Sequence, residues 1–267
     1  MKNTLMILIF LLLTFSVNAQ KNTQLTDIEA ITIPLQNYLS GHIKGDKNVL
    51  GKALHSEGKL SYLRDGKYAK LEFSDYLSRM KLRNKDDSVE RIPYIKSIDV
   101  TGNVAVAKLV LDYSSIIFTD YMTLLKIAGE WKISNKIAYS VRDPKNNKTR
   151  ITNITEIMAL LLRYEQALKS GDPKDLAGIF HAEAKIMSSE NGKFRGVTLN
   201  HFKDRFAQKT SKAPVLISHK IQSVDAFGDA AVAKIQLNYP NSTITHYLSL
   251  LRINGQWQVV NKAIDKN

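Results

Sequence analysis

The sequence predicts an α+β protein made of two tandem copies of one domain. A shift of 126 positions aligns the second half of the chain with the first without a gap, so that His55–Lys59 lies on His181–Lys185. A repeat of this length is a whole domain. In each copy, segments of helical periodicity come first and strand-like segments follow, which indicates helices packed on one face of an antiparallel sheet. Asp65-Gly66 and Asn191-Gly192 separate extended segments and are hairpin signals.

The chain divides into four segments: a signal peptide (1–19), a first domain (24–140), a basic linker (141–151) and a second domain (152–265). Lys2, the apolar run Leu5–Phe15 and the small-residue end Val17–Ala19 are typical of a bacterial secretory signal cleaved near Ala19/Gln20. A cleaved signal of this kind predicts a periplasmic or secreted protein. The alternative is an uncleaved N-terminal anchor.

The composition excludes several classes of function. The formal net charge is +13, which can indicate a polyanionic partner, but lysine and arginine are spread over both repeats. Export also removes the usual nucleic-acid partner, so we expect no nucleic-acid binding. Weak attraction to anionic surfaces stays open. The chain has no cysteine, hence no disulfide.

Each copy begins with an amphipathic helix. Its apolar positions recur at helical spacing in both copies: Ile28, Ile31, Leu35, Tyr38 and Leu39, matched by Ile154, Ile157, Leu161, Tyr164 and Leu168. Thr26-Asp27 and Thr152-Asn153 are the predicted N-terminal caps. Pro34 predicts either a later start or a kink in the first copy. Gly45-Asp46 and Gly171-Asp172 end these helices and begin a short second one.

A hairpin, a third helix and three long strands complete each copy. The third helices are predicted at Phe73–Leu82 and Leu199–Gln208. The long strands are predicted at Ile92–Asp99, Val104–Tyr113 and Phe118–Ile127, and in the second copy at Ile217–Asp225, Ala230–Tyr239 and Ile244–Ile253. Gly129 and Gly255 turn each chain into a last strand that carries a tryptophan.

Alternation assigns the faces of one strand and leaves the next open. Ala105, Ala107, Leu109 and Leu111 share a face that is predicted to lie under the helices. In the strand Phe118–Ile127, one face carries Thr119, Tyr121 and Thr123 and the other carries Phe118, Asp120 and Met122. The pattern does not decide which of these faces points inward.

The order of these elements resembles a known superfamily. The segment Tyr121–Lys136, repeated as Tyr247–Lys262 with its Leu-Leu-x-Ile-x-Gly-x-Trp core, is similar to nuclear transport factor 2-like proteins, most closely the branch called putative lumazine-binding. The resemblance covers nearly the whole mature chain, twice. It implies a cone-shaped domain of the cystatin-like type, in which a bent antiparallel sheet wraps N-terminal helices around a cavity. It also implies that the copies pair through their sheets as an internal pseudo-dimer.

Six residues are candidates for binding a ligand: Tyr38, His55 and Tyr121, with Tyr164, His181 and Tyr247 in the second copy. The histidines are predicted near the cavity mouth, where a general base or a hydrogen-bond donor would suit. The alternative is that they cap the preceding helix. The tyrosines are either cavity groups or ordinary core and sheet residues.

Further positions bear on catalysis. Asp120 has His246 as its twin, and one hypothesis is that the two form a salt bridge across a pseudo-two-fold. The apolar wall Ala105–Leu111 carries no acid, which argues against isomerase or dehydratase chemistry. The sequence shows no metal-ligand, nucleophile or dinucleotide motif. We therefore predict no catalytic residue, no metal and no cofactor.

The leading prediction is an exported tandem protein that binds a small apolar or aromatic ligand in its domain cavities without catalysis. One alternative is a cofactor-independent lyase or isomerase with a histidine base and a tyrosine hydroxyl donor. The other is a scaffold or protein-interaction module with no open cavity.

Overall fold

Two copies of one six-stranded α+β unit make up the protein, as a computed structural model shows. The structure describes residues 25–82, 91–113, 115–142, 154–208 and 216–266. The predicted signal peptide, the Thr152-Asn153 cap and residues 143–151 of the predicted linker lie outside these ranges. None of the described helices combines the length and apolarity that crossing a membrane requires.

In the described residues of the first domain the elements are, in order: α1 (Asp27–Lys44), α2 (Lys47–Ala53), β1 (Leu54–Arg64), β2 (Lys67–Glu72), α3 (Phe73–Ser78), β3 (Ile92–Thr101), β4 (Val104–Asp112), β5 (Ile116–Ile127) and β6 (Glu130–Arg142). The second domain repeats this order, with a short 3-10 helix at Pro173–Leu176 in place of α2: α4 (Ile154–Ser170), β7 (Phe180–Glu190), β8 (Lys193–Thr198), α5 (Leu199–Ala207), β9 (Ser218–Phe227), β10 (Ala230–Tyr239), β11 (Ser242–Ile253) and β12 (Gln256–Lys266).

The predicted α+β class is confirmed, but each sheet is mixed instead of antiparallel. The strand orders are β2-β1-β6-β5-β4-β3 and β8-β7-β12-β11-β10-β9. The first strand of each domain pairs with its last, β1 with β6 and β7 with β12, and these two pairs are parallel. The parallel pairing joins elements far apart in sequence, which a hairpin signal cannot reveal.

Local chemistry explains the helix ends. Thr26 and Glu29 form a capping box, so α1 begins at Asp27 and Pro34 lies inside the helix without delaying its start. Gly45 ends α1 at a φ of 65°, in the left-handed region that glycine favours. The Asp46 side chain then accepts from the first amides of α2. Helices α3 and α5 end earlier than predicted, at Ser78 and Ala207.

Both faces of each sheet are covered. Ala105, Ala107, Leu109 and Leu111 pack against the helices, which confirms the assignment of that strand face. The opposite faces of the two sheets pack on each other, and Val104 and Leu125 of the first domain cluster there with Tyr247 of the second.

The contacts between the sheets follow an approximate two-fold relation. Lys108 pairs with Asp225 at 2.6 Å, and its twin Lys234 pairs with Asp99 at 2.6 Å. Thr123 Oγ1 lies 3.4 Å from Ser249 Oγ, so one residue touches its own twin. A residue can meet its twin only near the relating axis, which places that axis at Thr123 and Ser249.

Candidate functional site

A cavity of about 520 Å³ lies in the first domain, between the helices and the concave side of the sheet. Its walls are largely apolar and aromatic: Leu60, Tyr62, Leu63, Tyr76, Leu111, Tyr113, Phe118 and Tyr139. Asp229 also lines it, from the turn between β9 and β10, so the second domain completes the wall of a cavity in the first. This volume suits a small organic ligand.

The cavity contains a buried ion pair. Asp120 on β5 is fully buried, and its Oδ2 lies 2.8 Å from the Nζ of Lys136 on β6. The Tyr38 hydroxyl of α1 donates to the same oxygen at 2.9 Å and accepts from Lys136 at 2.5 Å. A pair so enclosed is held by its mutual charge and by its hydrogen bonds.

The second carboxylate oxygen, Asp120 Oδ1, is buried and has no hydrogen-bond partner in the part of the chain that the structure describes. A buried carboxylate oxygen without a donor is costly, because it has lost its water. Asp120 is among the residues that line the cavity, so this oxygen lies beneath the cavity wall without a donor from the described residues.

The hydrogen-bond chain continues to Tyr76 and His42, which also line the cavity. The hydroxyl oxygens of Tyr38 and Tyr76 lie 3.4 Å apart, and the Tyr76 hydroxyl lies 2.7 Å from His42 Nε2. Burial, with the Asp120 carboxylate beside it, raises the pKa of Tyr38 well above its ordinary value, so this hydroxyl stays protonated. Burial opposes the charge of Lys136, but Asp120 outweighs it and the pKa of Lys136 is raised.

The second domain differs at the equivalent positions. His246 stands where Asp120 stands, and its Nδ1 lies 3.2 Å from the Tyr164 hydroxyl. Phe202 replaces Tyr76, and the larger Ile264 replaces Ala138, the residue directly opposite Asp120 on β6. The Asp–Lys–Tyr arrangement is therefore a feature of the first copy.

Only part of the predicted site comes together. Tyr38 is part of the buried polar group, and Tyr164 is its counterpart in the second domain. Tyr121 and Tyr247 lie instead between the two sheets, where Tyr121 donates to Asp225 at 2.6 Å and Tyr247 donates to Asp99. The hypothesis that Asp120 and His246 pair with each other is wrong, because each lies inside its own domain.

His55 and His181 also lie between the domains and do not line the cavity. The ring of His55 stacks on Phe194 at 4.3 Å, and that of His181 lies 4.0 Å from Tyr68. In each histidine the Nδ1 atom accepts a hydrogen bond, at 3.2 Å, from the backbone amide two positions later in the chain, which belongs to Glu57 or Glu183. These contacts favour a structural role in joining the domains.

Sequence reasoning did not identify Lys136 as a site residue and gave Asp120 a different partner, His246. The Asn135-Lys136 pair recurs as Asn261-Lys262, and this recurrence was the available signal. In the described parts of the chain, no cluster of three or more His, Cys, Asp or Glu side chains could hold a metal ion.

The interdomain histidines predict a pH dependence of stability. Burial lowers the pKa of both, and Lys185 near His55 and Lys59 near His181 act in the same direction, against Glu57 and Glu183. The unfolded chain then binds more protons than the native one below about pH 6.5, so stability is lost as the pH falls through this range.

We expect the melting temperature to decrease as the pH is lowered from about 7.5 to about 5.5. In the His55→Phe/His181→Phe variant we expect the melting temperature to depend less steeply on pH. Phenylalanine keeps a ring in each stack but does not titrate. Calorimetry across this pH range measures the slope. The exposed His201 gives the control His201→Gln, and an unchanged slope in the double variant would contradict the prediction.

Comparisons with known proteins agree with the repeat. A family model described as "Putative lumazine-binding" matches residues 26–139 and again residues 152–264. Among curated proteins, "Aldolase FrzH" from Cladobotryum sp is 24% identical over 108 residues, which are 40% of this chain and 85% of that protein.

Solved structures show a similar picture. An NTF2-like protein of unknown function from Shewanella baltica is 24% identical, with a TM-score of 0.41, and the match covers 45% of this chain and 98% of that one. An NTF2-like protein from Cytophaga hutchinsonii is 12% identical, with a TM-score of 0.37, over 44% of this chain and 100% of that one.

Proposed function

This chain belongs to the family described as putative lumazine-binding, and we propose that it binds a small apolar or aromatic ligand in the cavity of its first domain. The observation that carries this proposal is the 520 Å³ cavity with the buried Asp120 in its lining. Aromatic walls favour a flat apolar body, and Asp120 Oδ1 favours a ligand with one hydrogen-bond donor. The open cavity also counts against a role as a mere scaffold.

In this proposal the two domains have different roles. The first domain holds the ligand. The second supplies a wall residue, Asp229, and covers the outer face of the first domain's sheet. The second copy has Phe202 in place of the Tyr76 hydroxyl, His246 in place of the Asp120 carboxylate and the larger Ile264 in place of Ala138.

The test uses N-phenyl-1-naphthylamine, an uncharged fluorescent probe with an aromatic body and one N–H. We expect saturable binding by the unaltered protein and binding weaker by roughly tenfold or more in Ala138→Ile. Ala138 lies directly opposite Asp120, so a larger side chain there covers the carboxylate. Fluorescence titration gives both dissociation constants.

The matched control is Ile264→Ala, the reverse change at the equivalent position of the second domain. It should leave binding in the first domain unchanged. Absence of saturable binding by the unaltered protein, or equal affinity in Ala138→Ile, would refute the proposal. Thermal melting of both variants separates a lost site from a lost fold.

A second candidate function is proton abstraction next to a carbonyl group, and the arrangement of Asp120, Lys136 and Tyr38 favours it. Asp120 Oδ1 would take a proton from the carbon while the electron pair moves onto the carbonyl oxygen. Lys136 or Tyr38 would stabilise that oxygen by donating a hydrogen bond. The similarity to a protein named an aldolase accords with such chemistry.

This candidate replaces the histidine base predicted from sequence, since His55 does not line the cavity. It requires that the protein exchange the methyl protons of a simple aryl ketone, acetophenone, for solvent deuterium. NMR would follow the exchange, and Asp120→Asn should abolish it. Binding of the ketone without exchange would leave ligand binding as the function.

A further inference from the structure

One hairpin of the first domain contacts both the ligand cavity and the second domain. The β1–β2 hairpin lines the cavity through Leu60, Tyr62, Leu63 and Gly66. The Gly66 carbonyl accepts a hydrogen bond, at 2.9 Å, from the backbone amide of Asn254 in the second domain. Tyr68 on β2 packs on an apolar cluster that both domains share. A change in these interdomain contacts therefore reaches the cavity wall.

His181 of the second domain contacts this hairpin directly. The centre of its ring lies 4.0 Å from the centre of the Tyr68 ring. Two polar contacts join the same hairpin to β7: Lys59 Nζ donates to the Glu183 carbonyl at 2.5 Å, and Lys70 Nζ lies 2.6 Å from Glu183 Oε2. We call these five residues the hairpin junction.

The junction is built for a neutral His181. The Glu183 carboxylate is already engaged by Lys70. Burial lowers the pKa of Lys59 to about 8, so Lys59 still carries a positive charge at the lower pH at which His181 titrates. Burial also lowers the pKa of His181, and Lys59 acts in the same direction, against Glu183. A proton on His181 therefore opposes the contacts of the junction.

Two further charged groups adjoin the junction. Glu72 Oε1 lies 3.9 Å from Lys70 Nζ, and the positive charge of Lys185 helps burial to lower the pKa of Lys59. Neither group balances a charge on His181, because Glu72 pairs with Lys70 and Lys185 is itself a cation.

The repeat supplies a second histidine in a matching setting. His55 stacks on Phe194 of the β7–β8 hairpin, with ring centres 4.3 Å apart. None of the described residues that line the cavity lies on β7 or β8. Titration of His55 therefore acts on the hairpin of the second domain, whereas titration of His181 acts on a hairpin that forms part of the cavity wall.

We propose that His181 is a pH switch for the ligand cavity of the first domain. The neutral ring keeps the β1–β2 hairpin against the second domain, and the cavity keeps its shape. When the ring takes up a proton, the junction loosens, the hairpin moves away from the second domain and the ligand binds less tightly. This inference rests on the proposed function and adds its regulation by pH.

The first test measures binding of N-phenyl-1-naphthylamine between about pH 7.5 and pH 5.5 by fluorescence titration. The probe is a diarylamine and stays uncharged over this range. In the unaltered protein we expect its dissociation constant to rise about three- to tenfold as the pH falls. In His181→Phe, which keeps a ring on Tyr68 but cannot be protonated, the dissociation constant should not depend on pH. The matched control His55→Phe should behave like the unaltered protein.

The second test needs no variant. Linkage is reciprocal, so a ligand that binds less tightly to the protonated form must lower the pKa of the group that is protonated. We expect an NMR titration of the ring protons to give a lower pKa for His181 with saturating N-phenyl-1-naphthylamine than without it. The pKa of His55 should not change. A histidine that only stabilises the fold would show no such difference.

The outcomes separate the two proposals. Saturable binding that does not depend on pH, or a pH dependence that is lost equally in His55→Phe, would overturn the switch and leave ligand binding standing. So would a dependence that survives in His181→Phe, which would point to His42 in the cavity wall. Failure of the probe to bind at pH 7.5 would overturn the proposed function and this inference with it. Thermal melting at pH 7.5 checks that the variants fold, and His181→Gln takes the place of His181→Phe if the latter does not.

Discussion

Replacing Lys136 with methionine is expected to lower the free energy of unfolding by about 3–5 kcal/mol. The substitution keeps the shape of the side chain but removes the charge that lies 2.8 Å from Asp120 Oδ2. Asp120 is fully buried, so its carboxylate would be left in the core without a counter-charge. Urea unfolding measures the loss, and an m-value equal to that of the unaltered protein shows that the same transition is being compared.

The double variant Asp120→Leu/Lys136→Met separates the cost of an orphaned charge from the value of the pair. Apolar residues of similar volume often replace a buried ion pair with little net change, so we expect the double variant to be more stable than Lys136→Met alone. Lys262→Met is the twin control, because position 246 holds a histidine where Asp120 stands. A loss below about 1 kcal/mol in Lys136→Met would show that the pair is not held as the structure indicates.

The fold was largely predictable from the sequence because the repeat tests each pattern twice. Helix starts, hairpin turns and the inward face of β4 all follow from local periodicity and capping, which act over a few residues. Asp65-Gly66 and Asn191-Gly192, for example, form the predicted turns between β1 and β2 and between β7 and β8. The parallel pairing of β1 with β6 was not predictable, because it joins residues that are far apart in the sequence, such as Leu54 and Ile133.

The site was only partly predictable, for a related reason. Alternation identifies an inward face when the other face meets water, but β5 is covered by helices on one side and by the second sheet on the other. Tyr121 and Asp120 are adjacent in sequence and both are buried, yet Tyr121 faces the other domain and Asp120 faces the cavity. Burial alone could not tell them apart.

The same ambiguity explains the placement of the histidines. His55 and His181 were predicted near a cavity mouth from their position at the start of a strand. The face that they occupy became an interface only because a second domain covers it, as the stacking of His55 on Phe194 shows. A repeat in the sequence predicts two domains. It does not predict which of their faces are in contact.

The contact between Gly228 and Tyr139 should be among the most sensitive points of that interface. A Cβ added at Gly228 would lie 2.3 Å from two ring atoms of Tyr139, and the φ of 61° at Gly228 disfavours any side chain. We expect Gly228→Ala to destabilise the protein by about 2–4 kcal/mol, part from the backbone and part from the displaced ring.

Gly129→Ala measures the backbone contribution alone, so the difference between the two variants gives the packing contribution. Gly129 has a φ of 85° but nothing within 4 Å of an added Cβ, so alanine there should cost only the backbone strain, about 1–2 kcal/mol. An equal decrease in the free energy of unfolding in the two variants would show that the Tyr139 ring moves aside at no cost. Because Tyr139 and Asp229 also line the cavity, Gly228→Ala should weaken binding of N-phenyl-1-naphthylamine while Gly129→Ala does not. Such a difference would mean that docking of the second domain sets the shape of the ligand site in the first.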